Sequence, residues 1–163
     1  MSVAKDFDKA HPQGADDRSV PRSGTYRRAA PGGSLEEYRQ EHDDIRSWLD
    51  KLRTDDPVQL RVVLLGLRSV LLLHFANEEG RDGLFGLVRE RWGQDHRIEV
   101  LRLQHHEMLS RVHRIQSLIG SSEPELGDVA RLRDELIDLV SSHEERESEL
   151  LQEVLLTDLG EGF

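Results

Sequence analysis

Two copies of a His-x-x-x-Glu spacing are the residues of this chain best suited to chemistry. They are His74 with Glu78 and His143 with Glu147. Residues four apart lie on the same face of an α-helix, with their Cβ atoms about 6 Å from each other. An imidazole nitrogen and a carboxylate oxygen placed in this way can bind one metal ion or two neighbouring ions. One copy alone is a weak signal, whereas the pair indicates a dinuclear metal site.

Two further histidines lie on apolar helix faces. Residues that alternate in steps of three and four share one face of a helix. His42 belongs to such a series, four residues after Tyr38. His105 belongs to another, four residues after Leu101. Six polar groups on core-facing surfaces would together cost several kcal/mol if they were left unpaired, and a bound metal offsets this cost. The predicted metal ligands are His42, His74, Glu78, His105, His143 and Glu147.

Capping signals predict where each of four amphipathic helices begins. Ser34 opens a capping box, and Asp56 can cap a helix whose first residue is Pro57. Asp95 and Ser122 stand at the corresponding places before the third and fourth helices. The loops between the helices are mostly short, and short loops make neighbouring helices antiparallel. The sequence therefore predicts an all-α protein with an antiparallel, up-down four-helix bundle.

The predicted bundle occupies residues 34–157, with a short helix at residues 84–92 as a connection. Residues 1–33 show no helical or strand period and contain Pro12, Pro21 and Pro31. We interpret them as a disordered polar tail. Residues 158–163 are interpreted as a C-terminal tail.

The four predicted helices form an internal repeat. His42 and His105 hold equivalent places in their apolar series, which match position by position along the two helices. The His-x-x-x-Glu motif that begins at His74 recurs at His143. Each half of the chain thus supplies one helix with a single histidine and one helix with His-x-x-x-Glu. Two halves packed together place two equivalent ligand sets around one centre.

The composition excludes several classes of site. There is no cysteine, so disulfides, thiolate zinc sites, iron–sulfur clusters and cysteine nucleophiles are excluded. A net charge of −10 argues against a nucleic-acid-binding protein. No uninterrupted apolar run approaches ~18 residues, and no apolar signal segment opens the chain, so we expect no membrane span. We therefore expect a cytoplasmic protein.

Other polar residues near these motifs are predicted to lie on the surface. His106 lies about 100° around the helix from His105, so His105 is the inward histidine. The neighbouring carboxylates Glu79, Glu144 and Glu145 are interpreted as surface residues, although Glu144 is a second candidate to reach the metal or a ligand. The remaining histidines, predicted to be exposed, are His11, His96 and His113.

Over residues 34–157 the chain resembles the hemerythrin-like (HHE cation-binding) domains. The motifs that carry the resemblance are EHDDI at 41–45, HFANEE at 74–79, LQHHEML at 103–109 and HEERE at 143–147. The resemblance implies a four-helix bundle with a non-haem di-iron centre that meets O2 or its reduced relatives. It also implies that the six residues predicted above are the ligands.

The chain departs from the oxygen carriers of that family at two places. They have two histidines four apart on the third helix, whereas Leu101 and Leu109 flank His105 at that spacing. They also have an aspartate five residues after the last histidine, whereas here Glu147 follows His143 by four. The set therefore has one imidazole fewer. An open metal position favours chemistry over reversible carriage.

We therefore expect a di-iron protein that reacts with O2 or peroxide, most concretely by catalase-like or peroxidase-like chemistry. Manganese and zinc are further candidates, because imidazole and carboxylate without sulfur suit all three metals. One alternative is reversible sensing or storage of O2, NO or iron without turnover. Another is a metal-free helical interaction module. The sequence singles out no catalytic residue and no protein partner.

Overall fold

The computed structural model describes residues 35–160 of the chain, apart from residues 94, 123 and 124. The predicted tail at residues 1–33 and the capping residue Ser34 lie outside the described residues. The helices are α1 (Leu35–Lys51), α2 (Pro57–Glu79), α3 (Leu84–Trp92), α4 (His96–Ile119) and α5 (Leu126–Gly160). The short α3 is the predicted connection. Helix α5 runs to Gly160, past the predicted end of the bundle at residue 157.

Contacts between the four long helices show that neighbours are antiparallel. Arg97 near the start of α4 pairs with Glu153 near the end of α5 at 2.8 Å. Arg111, further along α4, pairs with Glu135, which lies earlier in α5, at 3.0 Å. Helix α2 packs against both α1 and α4. The predicted all-α, antiparallel four-helix bundle is confirmed.

Two predicted helix starts coincide with side-chain caps. A carboxylate oxygen of Asp56 accepts hydrogen bonds from the backbone N–H groups of Val58 and Gln59, at 2.8 and 3.4 Å. Asp95 accepts from the backbone N–H of Arg97 at 2.9 Å. Each cap satisfies donors that the first helical turn cannot pair internally. These caps fix where α2 and α4 begin and therefore which of their residues face the core.

The core is divided into two apolar clusters with a polar layer between them. The larger cluster runs along α1, α2, α4 and α5 on one side of the layer. The smaller cluster contains the buried face of α3 and the adjoining ends of α4 and α5. The polar layer contains His42, His74, Glu78, His105, His143 and Glu147, all of them buried.

Helix α2 is apolar on more than its core face. Leu60, Leu64 and Leu67 are buried, whereas Val62 and Leu65 are both 60% exposed. The segment Pro57–Trp92 is long and apolar enough by composition to cross a membrane, with a mean hydropathy of 1.6 over its most apolar window. The sequence has no long uninterrupted apolar run, but this did not exclude a segment of membrane-spanning length and hydropathy. The arginines of the segment interrupt the run, yet its mean hydropathy stays high. In the bundle this segment forms α2 and α3, and 39% of its most apolar window is buried.

A close contact between α1 and α2 provides a test of this packing. A Cβ atom at Gly66 would overlap the Trp48 ring, whereas one at Gly127 in α5 would meet nothing within 4 Å. Gly66→Ala should lower the free energy of unfolding by about 1–2 kcal/mol, because overpacking outweighs the gain in helix propensity. The control Gly127→Ala should raise it by up to about 1 kcal/mol. Urea denaturation of both variants measures this, and equal stabilisation by the two would contradict the packing.

Candidate metal centre

All six residues of the predicted ligand set meet in the polar layer of the bundle. Their exposed fractions run from 0% for Glu147 to 5% for Glu78. One nitrogen or oxygen atom from each of four residues lies within 4.8 Å of the others, a spacing suited to a bound metal ion. Those four are His74, Glu78, His143 and Glu147. His42 and His105 lie against the same carboxylates from α1 and α4. That these residues bind metal remains a prediction.

The four histidine rings form two pairs that follow the internal repeat. The rings of His42 and His74 have centroids 4.8 Å apart, as do those of His105 and His143. The inner rings of the two pairs, His74 and His143, are 6.2 Å apart. The first pair comes from the first half of the chain and the second pair from the second half. The layer therefore contains two histidine pairs side by side.

Each carboxylate makes its closest histidine contact in the other half of the chain. Glu147 Oε2 lies 3.1 Å from His42 Nε2 and 3.5 Å from His74 Nε2. Glu78 Oε2 lies 2.9 Å from His105 Nε2 and 3.6 Å from His143 Nε2. The two halves thus exchange carboxylates, and neither half alone surrounds a complete centre.

Several buried atoms at this centre have no hydrogen-bond partner. They include His74 Nε2, both oxygens of Glu78 and Glu147 Oε1. Buried carboxylate oxygens without partners are costly, and the cost is removed when they coordinate a cation. The 2.9 Å approach of Glu78 to His105 is not aligned as a hydrogen bond. These unpartnered atoms and the sulfur-free donors fit a cation such as Fe, Mn or Zn.

The two carboxylates have opposite electrostatic environments. Burial and the negative charge of Glu147 raise the pKa of Glu78 well above its usual range. Burial alone would also raise the pKa of Glu147, but a hydrogen bond from His42 and the nearby imidazole of His74 hold it well below its usual range. Two carboxylates this close in a dry site cannot both be ionised cheaply, so one keeps a proton. A metal ion binding here must displace that proton.

The histidines also differ from one another. Burial lowers the pKa of His74, but its close contacts with the carboxylates of Glu147 and Glu41 outweigh it and raise the pKa to about 10. Burial, reinforced by the nearby imidazole of His143 with which it would have to share positive charge, lowers the pKa of His105 to about 2. Burial also lowers the pKa of His143, to about 4, although the charge of Glu147 opposes this. One buried imidazole is thus cationic in the metal-free protein and two are neutral.

Two carboxylates outside the predicted set hold the histidine rings in place. His74 Nδ1–H donates to Glu41 Oε2 at 3.1 Å, and Asn77 donates to the other oxygen of Glu41 at 2.6 Å. His105 Nδ1–H donates to Glu79 Oε1 at 2.8 Å. Such partners fix the tautomer and leave Nε2 free for a metal. Glu79 lies on the surface as predicted, with its side chain 40% exposed, but the sequence did not predict that its carboxylate reaches the buried His105 ring.

Aromatic side chains lie against the outer histidine of each pair. Phe75 stacks on the His105 ring with centroids 3.7 Å apart, and Phe85 stacks at 5.6 Å on that ring. Tyr38 meets the His42 ring edge-on at 4.2 Å. Its hydroxyl is buried, and burial together with the charge of Glu147 raises the pKa of Tyr38. The phenol therefore keeps its proton at every ordinary pH.

A groove between α1 and α5 leads from the surface to the side chains of Tyr38 and His42. Its cavity of about 380 Å³ is lined by Tyr38 and His42, among others. Arg46 crosses the groove and donates to Glu144 Oε2 at 3.0 and 3.1 Å. These hydrogen bonds pair Glu144 with Arg46 and not with a residue of the centre. The groove is a route by which a small molecule can reach His42.

The remaining predicted surface residues lie on the surface where the structure describes them. His106, His113 and Glu145 are exposed, and the His96 side chain is 89% exposed. His105 is the inward histidine of its pair, with 3% exposure. His11 lies outside the described residues.

Comparison with protein families gives one match. The family model described as the hemerythrin HHE cation binding domain covers residues 34–155, three quarters of the chain. Searches of curated proteins and of solved structures found no match. The matched range includes all six residues of the centre together with Glu41 and Glu79.

The pKa values predict how pH changes the stability of the metal-free protein. His105 and His143 stay neutral when folded, so their contribution is complete above about pH 6.5 and falls as pH drops toward about 4. His74 acts in the opposite direction, since its contribution is present below about pH 6.5 and is lost as pH rises through about 10. Urea midpoints measured from pH 4 to pH 10 should therefore fall at both ends.

The matched control for this profile is His106→Ala, which removes an exposed histidine beside a buried one. It should leave the shape of the profile unchanged. His143→Leu should flatten the acid side. A wild-type midpoint that is constant between pH 4 and pH 6.5 would contradict the lowered pKa values.

Proposed function

The chain belongs to the hemerythrin HHE cation-binding domain family, and we propose that it holds a pair of iron ions in its buried layer and reacts there with O2 or peroxide. The observation that carries the proposal is the set of unpartnered ligand atoms on His74, Glu78 and Glu147. Hydrophobic side chains surround these atoms on both sides. A cation is the partner that such a set of donors lacks.

The two histidine pairs suggest how the ligands divide between two ions. His42 and His74 would serve one ion, and His105 and His143 the other. Glu78 and Glu147 lie between the pairs, each within 3.8 Å of histidines from both halves, and would be shared. Iron is favoured over manganese and zinc by the family, because the donor types suit all three metals.

The bound metal would supply the electrons that O2 or peroxide takes up. Four imidazoles and two carboxylates leave coordination positions for water or a small ligand, and open positions favour reaction. Disproportionation is the most concrete reaction, in which two peroxide molecules give two water molecules and one O2. This balance needs no outside electron donor.

The side chains around the centre would control what reaches it. The groove beside His42 admits a molecule of the size of peroxide, while the rings of Phe75 and Phe85 keep water from the His105 side. The Tyr38 hydroxyl keeps its proton and has no hydrogen-bond partner in the described part of the chain. It can therefore donate a hydrogen bond to a small oxygen ligand. The exclusion of water also protects a reactive centre from side reactions.

Reversible binding of O2, NO or iron is the second candidate function. The near-complete burial of the six side chains favours it, because a buried site retains a bound metal or small molecule. Both functions use the same six residues. They differ in whether peroxide is consumed.

Metal content tests the shared part of the proposal. Purified protein loaded with Fe(II) under anaerobic conditions should retain about two irons per chain. His105→Leu should lower the bound iron while the fold persists, because leucine fills a buried position without leaving an unpaired charge. His106→Leu, the exposed neighbour, should bind iron as the wild type does. Equal iron content in both variants would remove His105 from the ligand set.

Oxygen evolution separates the two candidate functions. Peroxide added to the iron-loaded protein should release one O2 for every two peroxide molecules, measured with an oxygen electrode. His105→Leu should lose this activity and His106→Leu should keep it. A spectral change that reverses without evolved O2 supports binding without turnover, and no response to either O2 or peroxide contradicts both functions.

A further inference from the structure

We propose that the ion pair between Arg46 and Glu144 limits the size of the molecules that reach the metal centre through the groove beside His42. Molecules as small as O2 and hydrogen peroxide pass the intact pair, whereas bulkier ones enter only when it breaks. What the proposal says about the metal rests on the proposed function, but access to His42 is tested without a metal.

The groove brings a cavity against a histidine that is otherwise enclosed. His42 is only 4% exposed, yet it lines the cavity of about 380 Å³ between α1 and α5. The His105 ring, by contrast, is covered by the stacked rings of Phe75 and Phe85. A molecule that enters through the groove therefore reaches the centre at His42.

Side chains join α1 to α5 at this groove. The close backbone contacts of α1 are mainly with α2, and those of α5 are mainly with α4. Within the polar layer, His42 and Glu147 bridge α1 and α5 at 3.1 Å. Arg46 lies about one helical turn after His42 on α1. Glu144 lies about one turn before Glu147 on α5, which runs in the opposite direction. The pair between Arg46 and Glu144 is therefore the next bridge across the same two helices.

The position of the pair lets it obstruct the groove. Arg46 and Glu144 both line the cavity. The Nε and Nη2 atoms of Arg46, on α1, donate to Glu144 Oε2, on α5, at 3.1 and 3.0 Å. The guanidinium group thus lies across the space between the two helices. It occupies part of the passage to His42, and only a molecule of a few atoms fits past it.

The pair is also weak enough to open. The Arg46 side chain is 58% exposed and that of Glu144 is 14% exposed, and an ion pair in contact with solvent is weakened by water and by salt. Arg46 has a second partner on its own helix, since its Nη1 atom donates to Asp43 Oδ1 at 3.3 Å. When the bond to Glu144 breaks, Asp43 keeps the guanidinium group near α1. Such a barrier slows bulky molecules and does not exclude them completely.

The chemical consequence is a preference for small oxidants. O2 and hydrogen peroxide carry no substituent, so they pass the guanidinium group. An organic hydroperoxide carries an alkyl group that has to displace Arg46 before the peroxide can approach His42. The same barrier slows organic chelators, which would otherwise remove a bound metal.

Chemical modification of the metal-free protein tests the barrier itself. Diethyl pyrocarbonate is bulkier than peroxide and modifies imidazole nitrogens, and mass spectrometry gives its rate at His42 relative to the exposed His106. Arg46→Ala should raise this ratio by about two- to fivefold, the range expected for the loss of an exposed ion pair. The matched control is Arg111→Ala, because Arg111 pairs with Glu135 between α4 and α5, outside the groove. A ratio that Arg46→Ala leaves unchanged, or that Arg111→Ala raises equally, overturns the proposal.

Two further measurements show whether Arg46 acts through its pair with Glu144. Glu144→Ala should raise the ratio as Arg46→Ala does, and the double variant should exceed neither single variant. Added sodium chloride should raise the ratio in the wild type but not in Arg46→Ala, because salt screens the pair. Additive effects of the two substitutions, or a wild-type ratio that does not respond to salt, overturn the proposal.

Reaction with hydroperoxides of two sizes extends the test to the metal. In the iron-loaded protein, Arg46→Ala should raise the rate with tert-butyl hydroperoxide relative to the rate with hydrogen peroxide, and Arg111→Ala should not change it. An unchanged relative rate in Arg46→Ala overturns the proposal. If the iron-loaded wild type reacts with neither peroxide, the proposed function fails, while the modification of His42 still decides whether the pair limits access.

Discussion

The structure depends on one costly arrangement, a layer of imidazoles and carboxylates placed between two apolar clusters. The neighbouring core offers these groups no polar partner, so the layer must satisfy its own atoms. It does so on its outer side, where Glu41 and Glu79 accept from the Nδ1 atoms of two rings. On its inner side, lone pairs from several residues face one another instead. Helix caps, helix registers and the antiparallel order all have to agree for these groups to meet at one level.

The repeat in the sequence does not produce equal chemistry in the two halves. Glu78 and Glu147 are equivalent by sequence, yet the pKa of the first is raised and that of the second is lowered. Glu147 receives a hydrogen bond from His42 and lies 3.5 Å from His74 Nε2, whereas the oxygens of Glu78 receive no hydrogen bond in the described part of the chain. Once one carboxylate is ionised in so dry a site, its charge keeps the proton on the other. The symmetry of the sequence is thus broken by unequal hydrogen bonding and by the repulsion between the two carboxylates.

The apolar periodicity was enough to predict the bundle and the inward position of all six candidate ligands. Which residues share one face of a helix depends only on their spacing along the chain, so steps of three and four residues are enough to identify that face. The roles of Glu41 and Glu79 could not be read in this way, because each reaches a ring on a different helix. Glu79 looked like a surface residue because it follows Glu78 on the outer side of α2. Only the distance between helices shows that its carboxylate still reaches His105.

The exchange of carboxylates between the halves has a consequence for how the chain could be divided. A break near residue 94 would give two helical fragments, each with two of the four histidines of the centre and one of its two carboxylates. Each carboxylate has its closest imidazole contact on the other fragment, at 3.1 Å for Glu147 and 2.9 Å for Glu78. Neither fragment could build the centre from its own residues. The centre therefore assembles only when both halves of the chain pack against each other.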